Sequence, residues 1–190
     1  MDNREKLLKC ATDLFYEKGY DAVGVQEIVE KAGMTKPTMY YYFKSKYGLL
    51  ESILEDFFEP YLKKLEEAAE YRGDVPSTLH RTCREQLKMA LENRKMYMFT
   101  LSLMYSAREN DTYQAVRPYM VKINEIVVEI FNEASENIGN MNGRQQQFAS
   151  GFEGIINYYL MYYFETDCQD TDTDEISMNL VKQFMYGIYT

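Results

Sequence analysis

The sequence predicts an all-α protein, and three observations carry that expectation. Apolar side chains return at three- and four-residue steps almost throughout the chain. No run of alternating apolar and polar residues marks a strand. The breaks between apolar stretches hold glycine, proline or clusters of small polar residues.

Leu7, Ala11, Leu14 and Phe15 mark one face of a first helix, which ends at the Gly19-Tyr20 step. Val25, Ile28, Val29 and Ala32 repeat the pattern in a short second helix closed by Gly33. Thr35 is placed to cap a third helix by accepting a hydrogen bond from a backbone N–H one turn on. Pro37 falls in that first turn, where its missing N–H has no intrahelical partner to lose. Two short helices separated by Gly33-Met34-Thr35 form a helix-turn-helix by shape.

From Lys46 a longer helix turns Leu49, Leu50, Ile53, Leu54, Phe57 and Phe58 inward as far as Pro60, where a kink or a break is expected. Residues 72–76 read as a loop, and further helices are expected at about 76–93, 95–108, 113–138, 144–166 and 174–188. Their breaks are "ENDT", "IGNMNG" and "CQDTDTDE". The expected organisation is a three-helix N-terminal domain over residues 1–47 and a larger helical body over residues 48–190.

Composition narrows the function classes. With 46% hydrophobic and 15% aromatic residues, the 190-residue chain can bury a packed core. The charged start "MDNREKLLKC" is unlike a secretion leader, and the apolar stretch from Ile155 to Phe164 is too short to span a bilayer. Cys10, Cys83 and Cys168 are widely spaced without a metal-ligand pattern, so free thiols in a reducing cytoplasm are expected, with no metal or cofactor.

Catalysis finds little support. Asp74, Ser77 and His80 crowd one helix start, where nucleophile, base and orienter do not converge. No glycine-rich phosphate loop is present. "DTDTDE" from Asp170 begins like a calcium loop, but Glu175 stands where glycine is needed and Val181 where the closing glutamate belongs. Asp172 and Glu175 are better placed to cap the last helix. No enzyme is expected.

Charge is distributed unevenly. The chain carries 30 acidic and 21 basic residues, yet residues 31–50 hold four lysines and no acid. Residues 1–48 have eight basic against seven acidic side chains, and residues 49–190 have 13 against 23. A polyanion would therefore meet the N-terminal end. The second helix of a helix-turn-helix lies in the major groove of DNA. Here Met39 and Phe43 would face the core, leaving Thr35, Lys36, Pro37, Thr38 and Tyr41 outward. Lysines neutralise phosphates, hydroxyls donate to phosphate oxygens, and tyrosine rings lie against sugars and thymine methyls.

"GMTKPTMYYYFKSK" resembles the signature of the tetracycline-repressor-like (TetR) family of bacterial transcription regulators. The similarity extends back through "LLKCATDLFYEKGYDAVGVQEIVEKAG" and covers about residues 6–54 in one ungapped register. The resemblance implies a homodimeric repressor that binds an inverted-repeat DNA operator and is released by a small molecule. It assigns Gln26, Lys36, Pro37, Thr38 and Tyr41 to base-edge or groove positions, and Thr35, Tyr40, Tyr42 and Lys46 to phosphates. Two positions depart from the pattern: Gly24 stands where a Ser or Thr usually caps the second helix, and Val29 replaces a usual alanine. The resemblance also makes the fourth helix the link to the body, so that Pro60 reads either as a flexing point or as a helix end.

In the body, Phe148, Phe152, Ile155, Tyr159 and Tyr163 form one apolar stripe, and Ile176, Leu180, Phe184 and Ile188 another. These stripes read as monomer core or, as the resemblance favours, as a four-helix dimer interface, with Gly151 and Gly154 letting backbones approach. Met89, Met96, Tyr97, Phe99, Met104, Tyr105, Tyr113, Tyr119 and Met120 supply adaptable apolar surface for the body core or for an apolar or aromatic effector. Phe152 and Glu153 join the candidate ligand set, Glu153 as a partner for a cation. A regulator of the same fold that works through a protein partner or a co-repressor is the alternative.

Overall fold

The computed structural model describes residues 2–136, 141–166 and 172–188. Among the described residues there are nine α-helices and no strand: α1 Asn3–Lys18, α2 Val25–Ala32, α3 Lys36–Phe43, α4 Lys46–Ala69, α5 Val75–Glu92, α6 Arg94–Met104, α7 Asp111–Glu133, α8 Gln145–Glu165 and α9 Thr173–Tyr186. They fall into two compact units, Met1–Pro60 with Lys95–Tyr119, and Tyr61–Arg94 with Met120–Thr190.

The first unit closes around the side chains that the periodicity selects. Leu7, Ala11 and Phe15 of α1, Ile28 and Ala32 of α2, Met39 and Phe43 of α3, and Leu49, Leu50 and Leu54 of α4 are buried. Asp2 opens α1 with a reciprocal cap, accepting from Glu5 N at 2.8 Å while its own N–H donates to Glu5 at 2.9 Å. The guanidinium of Arg4 grips both oxygens of Asp56, at 2.9 and 3.1 Å, and ties α1 to α4.

This compact unit takes in residues beyond the helix-turn-helix, for a packing reason. Phe99 of α6 stacks on Phe15 with centroids 6.1 Å apart, and Lys95 donates to Asp13 at 2.7 Å. Tyr119 of α7 lies nearly parallel to Phe58 at 4.5 Å. Those partners are more than forty residues away in sequence, beyond the reach of periodicity.

Pro60 neither ends nor breaks α4, which runs on to Ala69. A proline inside a helix removes one N–H bond, and the buried Phe58, Tyr61 and Leu65 on either side hold the helix regardless. Pro118 sits inside α7 in the same way. Two other expected bounds move. Helix α6 stops at Met104, and α7 starts at Asp111, inside the expected "ENDT" break, with Thr112 buried. Residues 138–140 and 168–171 of the other two expected breaks, Cys168 included, lie outside the described residues.

In the second unit α5 packs along α9, with Leu79, Cys83, Leu87 and Ala90 buried on one helix and Ile176, Ser177, Leu180 and Val181 on the other. Asp172 caps α9 by accepting from the backbone of Asp174 and Glu175, at 3.0 and 3.2 Å. Asp174 in turn receives Arg84 at 2.9 Å, and His80 lies 3.2 Å from its carbonyl oxygen. Asp74 caps α5 through Ser77 N at 2.8 Å. The trio Asp74, Ser77 and His80 therefore serves helix ends. Phe131, Phe148, Phe152 and Phe184 form an aromatic cluster with centroids 5.4 to 6.5 Å apart.

The turn between α3 and α4 is tightly constrained. Lys44 closes α3 at φ +66°, Ser45 N donates to Phe43 O at 2.7 Å, and Gly48 N donates to Ser45 Oγ at 2.9 Å. A Cβ at Gly48 would stand 2.2 Å from the Phe43 carbonyl oxygen. The backbone has to shift to admit it, so Gly48→Ala is expected to lose about 1–3 kcal/mol of stability. A urea midpoint equal to wild type would show that the turn absorbs a methyl group.

Candidate nucleic-acid interface and the polar centre of the body

The turn before α3 is set by backbone geometry. Gly33 takes the left-handed conformation, φ 66° and ψ 38°, which glycine enters without a Cβ penalty. There its N–H reaches Glu30 O at 3.0 Å and Met34 N reaches Val29 O at 2.8 Å, closing α2. Thr35 Oγ1 accepts from Thr38 N at 3.4 Å and lies 2.9 Å from Thr38 Oγ1. The two threonine side chains thus fix the first turn of α3 together. Gly24 is the N-cap of α2 and provides no side-chain bond.

Burying Met39 and Phe43 turns the opposite face of α3 outward. Lys36, Pro37, Tyr40, Tyr41 and Tyr42 are exposed, Tyr41 at 74%, and Thr38 is half-buried beside them. The Tyr41 and Tyr42 rings meet edge to face at 5.2 Å, and Lys44 Nζ donates to Tyr41 O at 3.2 Å. On α2, exposed Gln26 donates to Glu30 at 2.5 Å, which brings an acid close to one candidate reader.

Lys46 has a structural engagement that the sequence does not reveal. Its ammonium donates to Tyr20 O at 3.0 Å and Val23 O at 3.1 Å, and sits 4.1 Å over the Tyr20 ring. The start of α4 is thereby pinned to the loop between α1 and α2. Burial, and then Asp111 and Asp21, push the Tyr20 phenol up to about 12, so it stays neutral under the lysine.

The candidate ligand residues divide between the two units. Met96, Met104 and Tyr119 are half-buried in the first, with Tyr97 buried and Tyr105 77% exposed. Met89, Phe152 and Glu153 belong to the second. Phe152 is buried, and Met89 and Glu153 keep part of their surface. Glu153 is the one acid in the apolar stretch of α8, and its Oε1 accepts from Gln86 Nε2 of α5 at 2.6 Å. Desolvation pushes its carboxyl up to about 7, against a smaller downward pull from that bond. Burial, then the charge of Glu153, also raises the thiol of Cys83, one turn before Gln86.

The candidate dimer residues separate into two faces. Phe152, Tyr163, Ile176 and Leu180 are buried within the second unit itself, and Phe148, Ile155, Tyr159 and Phe184 are half-buried. Ile188 is 85% exposed. What α8 leaves open lies one position along, at Gly151, Gly154, Tyr158 and Tyr162, the last two 74% and 59% exposed. With Ile155, Tyr159, Leu180 and Gln183 these residues line a surface groove.

Two short helices joined by a three-residue turn, with one face of the second open and studded with lysine and tyrosine, have the shape of a helix-turn-helix. Residues 7–53 match the profile of the bacterial regulatory proteins, tetR family. The probable HTH-type transcriptional regulator YttP of Bacillus subtilis is 38% identical over 69 residues, 36% of this chain and 33% of that protein. This chain thus spans about a third of the length of such curated relatives in the aligned region. Another B. subtilis HTH-type regulator, YvkB, aligns over 160 residues at 28% identity, 83% of this chain and 81% of that one. Among solved structures, the transcriptional regulator FadR of B. subtilis in complex with stearoyl-CoA superposes with a TM-score of 0.80 at 19% identity, covering 97% and 99% of the two chains. PfmR of Thermus thermophilus, a TetR family transcriptional regulator, gives 0.76 at 20% identity with the same coverage. Over residues 7–53 the chain is thus similar to the tetR family of bacterial regulatory proteins. No helix among the described residues is long and apolar enough to cross a membrane.

The carboxyl of Glu153 makes stability depend on pH with a definite sign. Its folded-state value, about 7, lies above the ordinary 4.5, so the folded chain holds the proton that the unfolded chain releases between those values. Stability is greatest below the lower value, falls as pH rises to about 7, and is flat above, by about 3 kcal/mol in all. Glu153→Gln is expected to remove this slope and to be the more stable protein at pH 8. Parallel urea titrations of the two proteins from pH 5 to 8 check it; parallel curves would refute it.

Proposed function

We propose that this chain is a ligand-responsive transcriptional regulator, a homodimeric repressor that binds an inverted-repeat operator and leaves it when a small molecule enters the body. The observation that carries the reading is the open face of α3, where Lys36 and Tyr41 stand clear of the core that Met39 and Phe43 fill. In a chain of net charge −9, lysines collected on that face have a clear use against phosphates. Gln26, Lys36, Pro37, Thr38 and Tyr41 read the groove, while Thr35, Tyr40, Tyr42 and the free N–H of Lys46 hold the backbone. An apolar or aromatic effector suits the methionines and tyrosines of the body. The acyl-CoA of FadR is not carried over, because 19% identity conveys the fold alone. The regulator works in the cytoplasm.

Selection from random DNA duplexes tests the reading. Wild type is expected to enrich an inverted repeat with half-sites about 10 base pairs apart, and Lys36→Ala/Tyr41→Ala to enrich none. Removing one side chain that pairs with a phosphate should flatten the log–log salt slope by about 0.9. If wild type enriches no sequence at moderate salt, the alternative stands: a regulator of this fold that needs a co-repressor or acts through a protein partner.

The dimer reading rests on the groove of α8 and α9, where Gly151 and Gly154 leave room for a second backbone and Tyr158 and Tyr162 offer apolar surface. The pairing we assign uses these open residues with Ile155, Tyr159 and Ile188, over a layer of Phe148, Phe152, Tyr163, Ile176, Leu180 and Phe184. Gly154→Arg is expected to give a folded monomer in light scattering after gel filtration, since a Cβ at Gly154 meets nothing within 4 Å in the single chain. A Gly154→Arg dimer of wild-type affinity would place the interface elsewhere.

A further inference from the structure

One exposed amide of the first unit is held in a single orientation. Gln26 stands at the second position of α2, and its Nε2 donates to Glu30 Oε1 at 2.5 Å. Gln26, Glu30 and Gly33 follow at four- and three-residue steps, on the face that runs into the turn before α3. The direction of the amide follows from its chemistry: turned over, it would set its oxygen against a carboxylate oxygen with no proton between them. The other acid of α2, Glu27, is paired with Lys18, and Lys31 lies 4.0 Å from Glu17. Among the described residues no lysine or arginine pairs with Glu30, so its charge is left beside Gln26.

An exposed bond between residues four apart adds little to stability. Its consequence lies in what it leaves of the amide. A glutamine carries two N–H donors and one carbonyl acceptor. With both N–H groups free, it can offer donors to the O6 and N7 acceptors of guanine. It can equally give one donor and the carbonyl to N7 and N6 of adenine. With one N–H held by Glu30, a single donor and the carbonyl remain. That set matches adenine and falls one donor short at guanine. The carboxylate acts in the same direction, since it repels the two acceptors of guanine and attracts the amino group of adenine.

We infer that Glu30 is a positioning residue that makes Gln26 a reader of adenine and excludes guanine at one base pair of the operator half-site. This role rests on the regulator reading above, in which Gln26 reads the groove, and it names the base that the side chain selects. Glu30 acts by holding the amide, and both side chains are exposed, so replacing either leaves the core intact.

Selection from random duplexes with the full chain tests the role. The base pair read by Gln26 is the one whose preference disappears in Gln26→Ala. There wild type is expected to select adenine. Glu30→Ala is expected to lower the adenine-to-guanine ratio at that pair by roughly tenfold, the discrimination that a bidentate contact provides. The other positions of the half-site keep their preferences. Glu30→Gln, whose own carbonyl can take the same N–H, is expected to retain most of the ratio. In the Gln26→Ala background, Glu30→Ala is expected to change nothing further at that pair. Losing the carboxylate also raises affinity for every sequence by a common factor, so the ratio is the measure.

Guanine selected by wild type at that pair, no preference lost in Gln26→Ala, or an unchanged ratio in Glu30→Ala would overturn the role. So would a loss spread evenly over the half-site, a Glu30→Gln ratio as low as that of Glu30→Ala, or an effect of Glu30→Ala that persists without Gln26. Failure of the regulator reading looks different: wild type then selects no operator at all, and the role falls with it.

Discussion

A helix of eight residues does not persist in water by itself; its nucleation cost exceeds what so few backbone bonds return. Helix α3 therefore exists because Met39 and Phe43, one turn apart, are driven into the core made by α1, α2 and α4. The rest of the lysine- and tyrosine-bearing surface depends on that anchoring. Burying those two side chains fixes the rotation of α3 about its axis, and the rotation alone determines that Lys36, Tyr40 and Tyr41 point to solvent. Gly33 and the Thr35–Thr38 pair then fix where the helix begins. Lys46 secures the other side by holding the carbonyls of Tyr20 and Val23.

The two halves of the chain differ in how they use charge. The N-terminal segment concentrates lysines on an open surface, where ions are well solvated and available to an anionic partner. The body carries the excess of acid, most of it exposed, with Glu153 half-buried. A half-buried carboxyl without a counter-ion is a stability cost that the fold sustains. The hydrogen bond from Gln86 moderates the cost without cancelling it.

Packing also explains why the first compact unit extends past the helix-turn-helix. Three short helices bury little surface, and α6 and the start of α7 complete the layer through Phe99 against Phe15 and Tyr119 against Phe58. The aromatic cluster of Phe131, Phe148, Phe152 and Phe184 does the same for the second unit. Side chains that looked available for a partner are partly used up in the process, which leaves Tyr158 and Tyr162 as the open aromatic surface on α8.

The sequence by itself determined the all-α class, the turn at Gly33 to Thr35 and the buried pair Met39 and Phe43. These depend on local rules: helical period, capping chemistry and the left-handed freedom of glycine. It also marked Glu153 as an acid in an apolar stretch and Asp172 as a helix cap. Only the tertiary structure decided that α4 continues through Pro60, since the force that overrides the proline is burial of Phe58, Tyr61 and Leu65. Only it separated the buried Phe152 and Tyr163 from the open Tyr158, because a broad helical stripe does not say which edge a neighbouring helix covers. Lys46 and Glu153 took their partners, Tyr20 with Val23 and Gln86, from distant parts of the chain. Periodicity reports which residues seek burial; which groups they meet there is a property of the packed chain.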